Sequence, residues 1–131
     1  MIWGNLSYIA SRIPESTTVG QMCHIDRNVV IGNNCKIQGM VYIPPYTVIG
    51  DNVFIGPQVA FANDRNIDGT ITGTTVERCV KIGMGCRIGA GLNIGHDSMI
   101  GMGSIVTKDI PANEVWYGTP ARYIRKNKGN I

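Results

Sequence analysis

The chain has 131 residues, 16% of them charged, and a formal net charge of +3. This length predicts one domain over residues 1–131, and so slight a charge gives no reason to expect nucleic-acid binding. Residues 1–10 contain neither a basic segment nor a long apolar run, so we expect no signal peptide, no membrane-spanning helix and a cytoplasmic protein.

Residues 1–12 lack the periodicity that begins immediately after them. Their apolar side chains, Ile2, Trp3, Tyr8 and Ile9, are predicted to form a cap over an otherwise unpaired strand edge. The same residues are equally consistent with the remnant of a longer N-terminal domain.

From residue 13 to residue 61 an apolar anchor returns at every sixth position. The anchors are Ile13, Val19, Ile25, Ile31, Ile37, Ile43, Ile49, Ile55 and Phe61. A second register, four residues after each anchor, holds small or β-branched residues such as Thr17, Cys23 and Val29. Neither an isolated helix nor a single alternating strand has this period.

A period of six fits short flat segments joined by tight corners. Three hexads close one triangular coil, so residues 18 apart stack and pair as parallel strands. Ile13, Ile31 and Ile49 are predicted to form one ladder, with Val19, Ile37 and Ile55 forming the next. Anchors and second-register residues are then core, and the glycine that often follows an anchor is expected to adopt a backbone conformation that side chains resist.

The register fails between Phe61 and Val76, where residues 62–75 are polar and rich in Gly and Thr. A solenoid accommodates an insertion only by extruding it at a corner, so a projecting loop is predicted there. Loops on rigid scaffolds often carry functional residues. Plain solvated decoration is the alternative.

The period resumes over residues 76–111 and ends at Pro111. Together the two runs predict an all-β solenoid of about five triangular coils. Residues 112–131 form a C-terminal tail, in which a short basic helix is expected from about Ala121. The cysteines are Cys23, Cys35, Cys79 and Cys86; three of the four lie in the inward register, and all are predicted to be reduced thiols rather than metal ligands or disulfides.

The ending of the chain is more specific than the repeat. Residues 100–111, followed by Gly118-Thr119-Pro120-Ala121-Arg122, resemble the closing motif of the hexapeptide-repeat acyltransferases. The resemblance implies a left-handed parallel β-helix, a homotrimer with sites between subunits, and acetyl-CoA lying in the groove between neighbouring prisms. No metal is required in that reading.

The middle of the chain resembles the nucleotide-sugar N-acetyltransferases within that superfamily. The segments that carry the likeness are Cys23 to Ile25, Lys36 to Gln38, Asp51 to Pro57, Phe61 to Asp64 and the return from the loop, Thr75 to Gly83. Ala62, Glu77 and Cys79 depart from the family pattern. The resemblance implies acetylation of the amino group, most often a 3-amino group, of a UDP- or dTDP-linked sugar for surface polysaccharide or lipopolysaccharide.

Three residues are the candidates for catalysis. Asn63 is expected first to orient the amine or a hydroxyl, and Asp64 to accept a hydrogen bond from the amine or attract its cation. His24 is a candidate general base, because imidazole accepts protons near neutral pH, although a sugar amine can react without a side-chain base. His96, the other histidine, is predicted to be an exposed turn residue.

Cofactor contacts are implied for two sets of residues. Backbone groups of Gly89, Ala90 and Met102 would meet the pantetheine arm. The nucleotide end would meet Lys108, Gly118, Pro120 and Arg122, with Arg125 as a further basic candidate, because phosphates favour cationic partners.

Alternative functions remain open on the same fold. One is O-acetylation of a sugar, serine or a small xenobiotic. A zinc-dependent carbonic anhydrase would need three histidine ligands shared across a trimer, and the chain has 2 histidines. A non-catalytic assembly module is the third, and the acyltransferase-like ending disfavours it.

Overall fold

A computed structural model describes residues 6–128, so Ile2 and Trp3 of the predicted cap lie outside the described residues. The described chain is built from 17 strands. In chain order they are β1 (Tyr8–Ile9), β2 (Thr18–Val19), β3 (His24–Ile25), β4 (Val30–Ile31), β5 (Lys36–Ile37), β6 (Tyr42–Ile43), β7 (Val48–Ile49), β8 (Phe54–Ile55), β9 (Ala60–Phe61), β10 (Thr75–Val76), β11 (Lys81–Ile82), β12 (Arg87–Ile88), β13 (Asn93–Ile94), β14 (Met99–Ile100), β15 (Ile105–Val106), β16 (Glu114–Gly118) and β17 (Ala121–Lys126). No helix that could cross a membrane occurs within residues 6–128.

The strands form three sheets that make the faces of a triangular prism. Sheet A has the order β1-β3-β6-β9-β12-β15, sheet B has β17-β16-β14-β11-β8-β5-β2, and sheet C has β13-β10-β7-β4. The chain visits the faces in the order A, C, B, so each coil has an A–C corner, a C–B corner and a B–A corner. All pairs are parallel except β16 with β17.

The predicted ladders are confirmed where strands pair. Ile31 pairs with Ile49, while Val19, Ile37 and Ile55 follow one another in sheet B. From β3 to β15 each strand buries its second residue, the anchor, and turns its first residue outward. The alternation of side chains along a strand therefore fixes the core by position alone.

The second register is also inward, and its polar members donate hydrogen bonds either to the next coil or, as at Thr47, Ser98 and Ser104, to a carbonyl three residues earlier. The Thr17 hydroxyl donates to the Gly32 carbonyl at 2.7 Å, and the Cys35 thiol donates to the Gly50 carbonyl at 3.1 Å. The Cys86 thiol is bonded in the same way, and burial raises its pKa. Small polar groups are thus tolerated in the core because each finds a carbonyl partner.

The glycines after the anchors were predicted to supply a backbone conformation that side chains resist, and this prediction is wrong. The left-handed residue of a corner is the third after the anchor, as at Asn34 and Asn52, whereas Gly20 and Gly83 have ordinary φ values. The constraint on these glycines is space. A Cβ on Gly83 would lie 2.6 Å from the backbone nitrogen of Met102 in the next coil.

Both ends of the solenoid extend further than the repeat predicts, giving about six turns instead of five. At the start, β1 pairs with β3, so Tyr8 and Ile9 cover the first coil by adding a strand to it. At the end, β16 pairs with β14, and β17 returns antiparallel to β16. The helix expected from Ala121 is therefore wrong, because this segment finds its backbone partners in β16.

Substitution of Gly83 by Ala tests the spacing between coils. We expect Gly83→Ala to lower the free energy of unfolding by about 1–3 kcal/mol, because its Cβ meets backbone atoms that cannot rotate away. Gly39→Ala is the matched control, since its Cβ would be 3.2 Å from the Gln21 carbonyl oxygen and should cost less. Urea unfolding measures both, and equal losses would contradict the steric explanation.

Candidate active site

The break in the repeat is an extruded loop, residues 62–74, at the A–C corner between β9 and β10. The loop is closed at its base by the Thr72 N–H, which donates to the Asn63 carbonyl at 3.0 Å. Between the loop and the later coils lies a cleft of about 490 Å³. Small residues form much of its wall, among them Ala60, Ala62, Gly89 and Ala90.

A chain of polar side chains ends at Asn63, whose neighbours in sequence, Ala62 and Asp64, line the cleft. The His24 ring contacts Asp26 through Nε2 at 2.9 Å, and the Tyr42 hydroxyl donates to the other Asp26 oxygen at 3.2 Å. The Asn63 amide then donates to the Tyr42 hydroxyl at 3.4 Å. Two predicted site residues, His24 and Asn63, are thereby connected through Asp26 and Tyr42, which were not predicted.

Tyr42 lies at the centre of this chain and is held in its neutral form. Burial raises the pKa of Tyr42, and the charge of Asp26 together with its hydrogen bond raises it further, while the bond from Asn63 acts in the opposite direction. The phenol therefore remains a donor to Asp26 at neutral pH. Because His24 uses Nε2 on Asp26, its Nδ1 is the ring nitrogen that remains for a ligand.

Asp64 lines the cleft but is engaged by its own loop. Its carboxylate accepts the N–H groups of Asn66 and Gly69. Partial desolvation acts to raise the pKa of Asp64, but the N–H groups of residues 66–69 outweigh it and the pKa is lowered. Asp64 therefore folds the loop as an ionised group, and its predicted contact with an amine remains a prediction.

Among the predicted cofactor residues, Gly89 and Ala90 lie in the cleft wall. Met102 is exposed at the B–A corner. Lys108 directly follows Thr107, which lines the cleft, and its ammonium lies 5.5 Å from the centre of the Trp116 ring.

The remaining predicted cofactor residues lie around the turn between β16 and β17 at the end of sheet B. The Gly118 N–H donates to the Ser104 hydroxyl at 3.0 Å, and Pro120 follows a cis peptide bond. Arg122 bonds the Ala121 carbonyl, and Arg125 lies further along β17. None of these lines the cleft, so their contact with the nucleotide end remains a prediction.

His96 lies away from this cleft, at the C–B corner after β13. The ring Nδ1 of His96 contacts the Asp97 carboxylate at 2.8 Å, and the backbone N–H of His96 donates to the Glu77 carboxylate at 2.9 Å. The hydrogen bond from Asn93, followed by the one from His96, lowers the pKa of Glu77. This group ties consecutive coils together, which agrees with the predicted turn role of His96.

Four site residues were missed by sequence reasoning, namely Asp26, Tyr42, Arg65 and Arg87. The signal for Tyr42 was present, because His24, Tyr42 and Ala60 are 18 residues apart and so share one outward column of sheet A. Arg87 belongs to the same column, but the loop shifts its spacing. Asp26 stands where several other coils have glycine, and Arg65 lies in the aperiodic loop.

Two substitutions should move the pKa of Tyr42 in opposite directions. Asp26→Asn removes a negative charge and should lower it, whereas Asn63→Ala removes a donor to the phenolate and should raise it. NMR titration of ¹³C-labelled tyrosine measures the shift, with Tyr46 as an internal reference. Shifts of the same sign in both variants would show that the hydrogen-bonded chain is not as described.

Comparison with known proteins agrees with this fold. The family described as "Hexapeptide repeat of succinyl-transferase" matches residues 73–108. Galactoside O-acetyltransferase of Escherichia coli (strain K12) is 38% identical over 123 residues, covering 86% of this chain and 58% of the relative. The chain thus spans little more than half the length of that curated relative.

Solved structures give the same result. A hexapeptide-repeat containing acetyltransferase from Vibrio cholerae O1 biovar eltor, complexed with acetyl coenzyme A, superposes with a TM-score of 0.79 at 28% identity, covering 86% of this chain and 69% of that one. A maltose O-acetyltransferase from Clostridium difficile 630 gives 0.78 at 29% identity, covering 88% and 68%. The described chain therefore has the left-handed parallel β-helix fold, and it is similar in sequence and structure to hexapeptide-repeat acetyltransferases.

Proposed function

We propose that the chain is an acetyl-CoA-dependent acetyltransferase that acts on a sugar. The observation that carries this proposal is made at the A–C corner, where the polar chain His24–Asp26–Tyr42–Asn63 ends between Ala62 and Asp64, two residues that line a cleft walled by small side chains. The two parts suit the two substrates of acetyl transfer, a polar acceptor and a slender acyl arm. The relatives and solved structures with acetyltransferase names support the same reaction.

The cleft wall fits an extended acyl arm. Side chains at Ala62 and Ala90 are short, and a Cβ on Gly89 would already lie 3.1 Å from the Val106 carbonyl oxygen. Apolar contact with Leu92 and Ile105 would hold the arm along the later coils. The bound thioester supplies the acetyl carbonyl that the acceptor attacks.

The polar chain would prepare the acceptor. Asn63 presents an amide to the reacting group or its neighbour, and Tyr42 fixes that amide through its hydroxyl. Asp26 orients the His24 ring through Nε2, so that Nδ1 accepts the proton that the acceptor loses. Positioning of the acceptor against the acyl group supplies much of the rate in such a site.

We further propose that the acceptor is an amino group of a UDP- or dTDP-linked sugar used in surface polysaccharide synthesis. Sugars with a 3-amino group are the first acceptors to test. Support comes from the Phe61 to Asp64 segment at the start of the loop and from the ionised Asp64 beside the cleft. An amine arrives as a cation, and a nearby carboxylate favours its binding. Proton transfer to His24 then gives the nucleophilic free base.

A homotrimer in the cytoplasm belongs to the same proposal. Four methionines are exposed along the B–A corner, and they are Met22, Met40, Met84 and Met102. Gln58 lies at the same corner between Met40 and Met84. Exposed apolar side chains of this kind suit contact with further copies of the chain.

O-acetylation of a sugar hydroxyl is the second candidate. The His24–Asp26 pair favours it, because a hydroxyl needs a general base more than an amine does. The O-acetyltransferase names of the E. coli and C. difficile proteins point to the same acceptor class.

Thiol release from acetyl-CoA tests the reaction and the site together. With the preferred acceptor, Asn63→Ala should lower kcat/KM roughly 100-fold, because the acceptor is no longer aligned. His96→Ala, the control histidine at the other corner, should stay within about twofold of the parent. Equal losses would place the chemistry elsewhere, and release only with neutral hydroxyl acceptors would exclude N-acetylation.

The pH dependence of a His24→Gln variant separates the two acceptor types. With an amine acceptor, activity lost near about pH 7 should return toward about pH 9, because the amine then deprotonates in solution. With a hydroxyl acceptor, the loss should persist over the same range. NMR of the product identifies the new amide or ester directly, and a pH-independent loss with an amide product would contradict the base role of His24.

A further inference from the structure

A column of rings on sheet A stops at the cleft. The outward residues of this face are, in order, Tyr8, His24, Tyr42, Ala60, Arg87 and Ile105. The ring centres of Tyr8 and His24 are 4.9 Å apart, and those of His24 and Tyr42 are 5.3 Å apart. The next residue in the column, Ala60, has only a methyl group as its side chain, so a gap follows Tyr42. This gap is part of the cleft, because Ala60 lines it.

The far side of this gap carries a fixed guanidinium. Arg87 lines the cleft, and its Nη1 donates to the carbonyls of Gln58, Gly85 and Cys86. Within residues 6–128 these are the bonds that the side chain makes, so Nη2 and Nε keep their donors. A planar guanidinium with a free edge suits a phosphate, which it can engage with two hydrogen bonds.

A second guanidinium reaches the same cleft from the loop. Arg65 lines it beside Ala90, and within the described part of the chain neither Arg65 nor Arg87 forms an ion pair with a carboxylate. The Asp64 carboxylate also lines the cleft, but it is engaged by the N–H groups of Asn66 and Gly69, so the two unpaired guanidinium groups favour an anionic ligand. A neutral sugar would leave both without a partner.

Building on the proposed function, we propose that the acceptor is bound on sheet A with its ring over Ala60, between Tyr42 and Arg87, and that Arg87 and Arg65 bind a diphosphate attached to that ring. The Tyr42 ring, which meets the His24 ring edge to face, offers apolar surface to the sugar. Asn63, bonded to the Tyr42 hydroxyl, then lies beside the reacting substituent.

Diphosphates occur in both proposed substrates, and the position of Arg87 favours the acceptor. Arg87 is two strands from Tyr42 in sheet A, which corresponds to about 10 Å at about 4.8 Å per strand. A sugar ring followed by a diphosphate spans such a distance. The diphosphate of CoA is separated from its thioester by the whole pantetheine arm, which is too long for this interval.

Direct binding tests the assignment without any catalysis. UDP and dTDP are titrated calorimetrically into the full chain and into Arg87→Gln, with Arg12→Gln as the control because Arg12 is exposed outside the cleft. We expect Arg87→Gln to weaken nucleoside diphosphate binding roughly 10- to 100-fold, the loss typical of hydrogen bonds to a charged group, and Arg12→Gln to leave it unchanged. Failure of the parent to bind either nucleotide, or equal binding by Arg87→Gln, would overturn the proposal.

Steady-state kinetics distinguishes the two diphosphates. Arg87→Gln should raise KM for a nucleotide-linked amino sugar while leaving KM for acetyl-CoA and turnover of the free amino sugar nearly unchanged. A rise in KM for acetyl-CoA alone would assign Arg87 to CoA and overturn the proposal. Ala60→Leu should fill the gap and block both sugars without weakening acetyl-CoA binding. If no acceptor is acetylated, the proposed function is wrong. The calorimetric titration with UDP and dTDP still decides whether Arg87 binds a nucleoside diphosphate.

Discussion

Consecutive coils of this prism lie as close as hydrogen-bonded strands, and that spacing governs every other feature of the molecule. Where glycine follows an anchor, as at Gly56 and Gly83, the backbone of the next coil leaves little room for a Cβ. Three positions after the anchor, the chain turns through the left-handed region, which Asn and Gly tolerate best. The inward positions are filled by apolar or small hydrogen-bonded side chains. Little of a coil is left for chemistry beyond its outward strand residues and its corners.

The candidate site is built from outward strand residues and from a corner. Outward residues of sheet A supply His24 and Tyr42, and the A–C corner supplies Asp26 and the loop that starts with Asn63. Parallel stacking brings residues that are 18 apart in sequence into adjacent places. His24, Tyr42 and the gap above Ala60 therefore follow one another in one outward column of sheet A. The rigid stack holds these groups in register, which is the condition for a site that works by positioning.

The sequence was sufficient to predict the prism, because burial of the anchors leaves one register that satisfies both periodicity and strand pairing. It was also sufficient to locate the loop, since only there does the register fail. The two ends were less predictable. Residues 8–9 pair without belonging to the repeat, and residues 121–126 form a strand because β16 offers a free edge, which no local pattern reveals.

The site itself was predicted only in part. Asn63 and His24 were identified, but their connection depends on Asp26 and Tyr42, whose hydrogen bonds follow from side-chain geometry across coils. Arg87 was hidden because the loop interrupts the count of 18, and Arg65 lies where no period applies. Basic residues near the C-terminus were the more visible candidates for phosphate contact, yet the arginines in the described cleft come from β12 and the loop.

The central claim is that acetyl transfer takes place at the A–C corner, at the junction of the polar chain and the cleft. A crystal structure of the full chain with CoA and an unreactive nucleotide-linked sugar tests it most directly. The sulfur of CoA should then lie in the cleft near Ala90, with the acceptor substituent within hydrogen-bonding distance of Asn63. An acceptor bound at the C–B corner beside His96, with the cleft empty, would contradict the account.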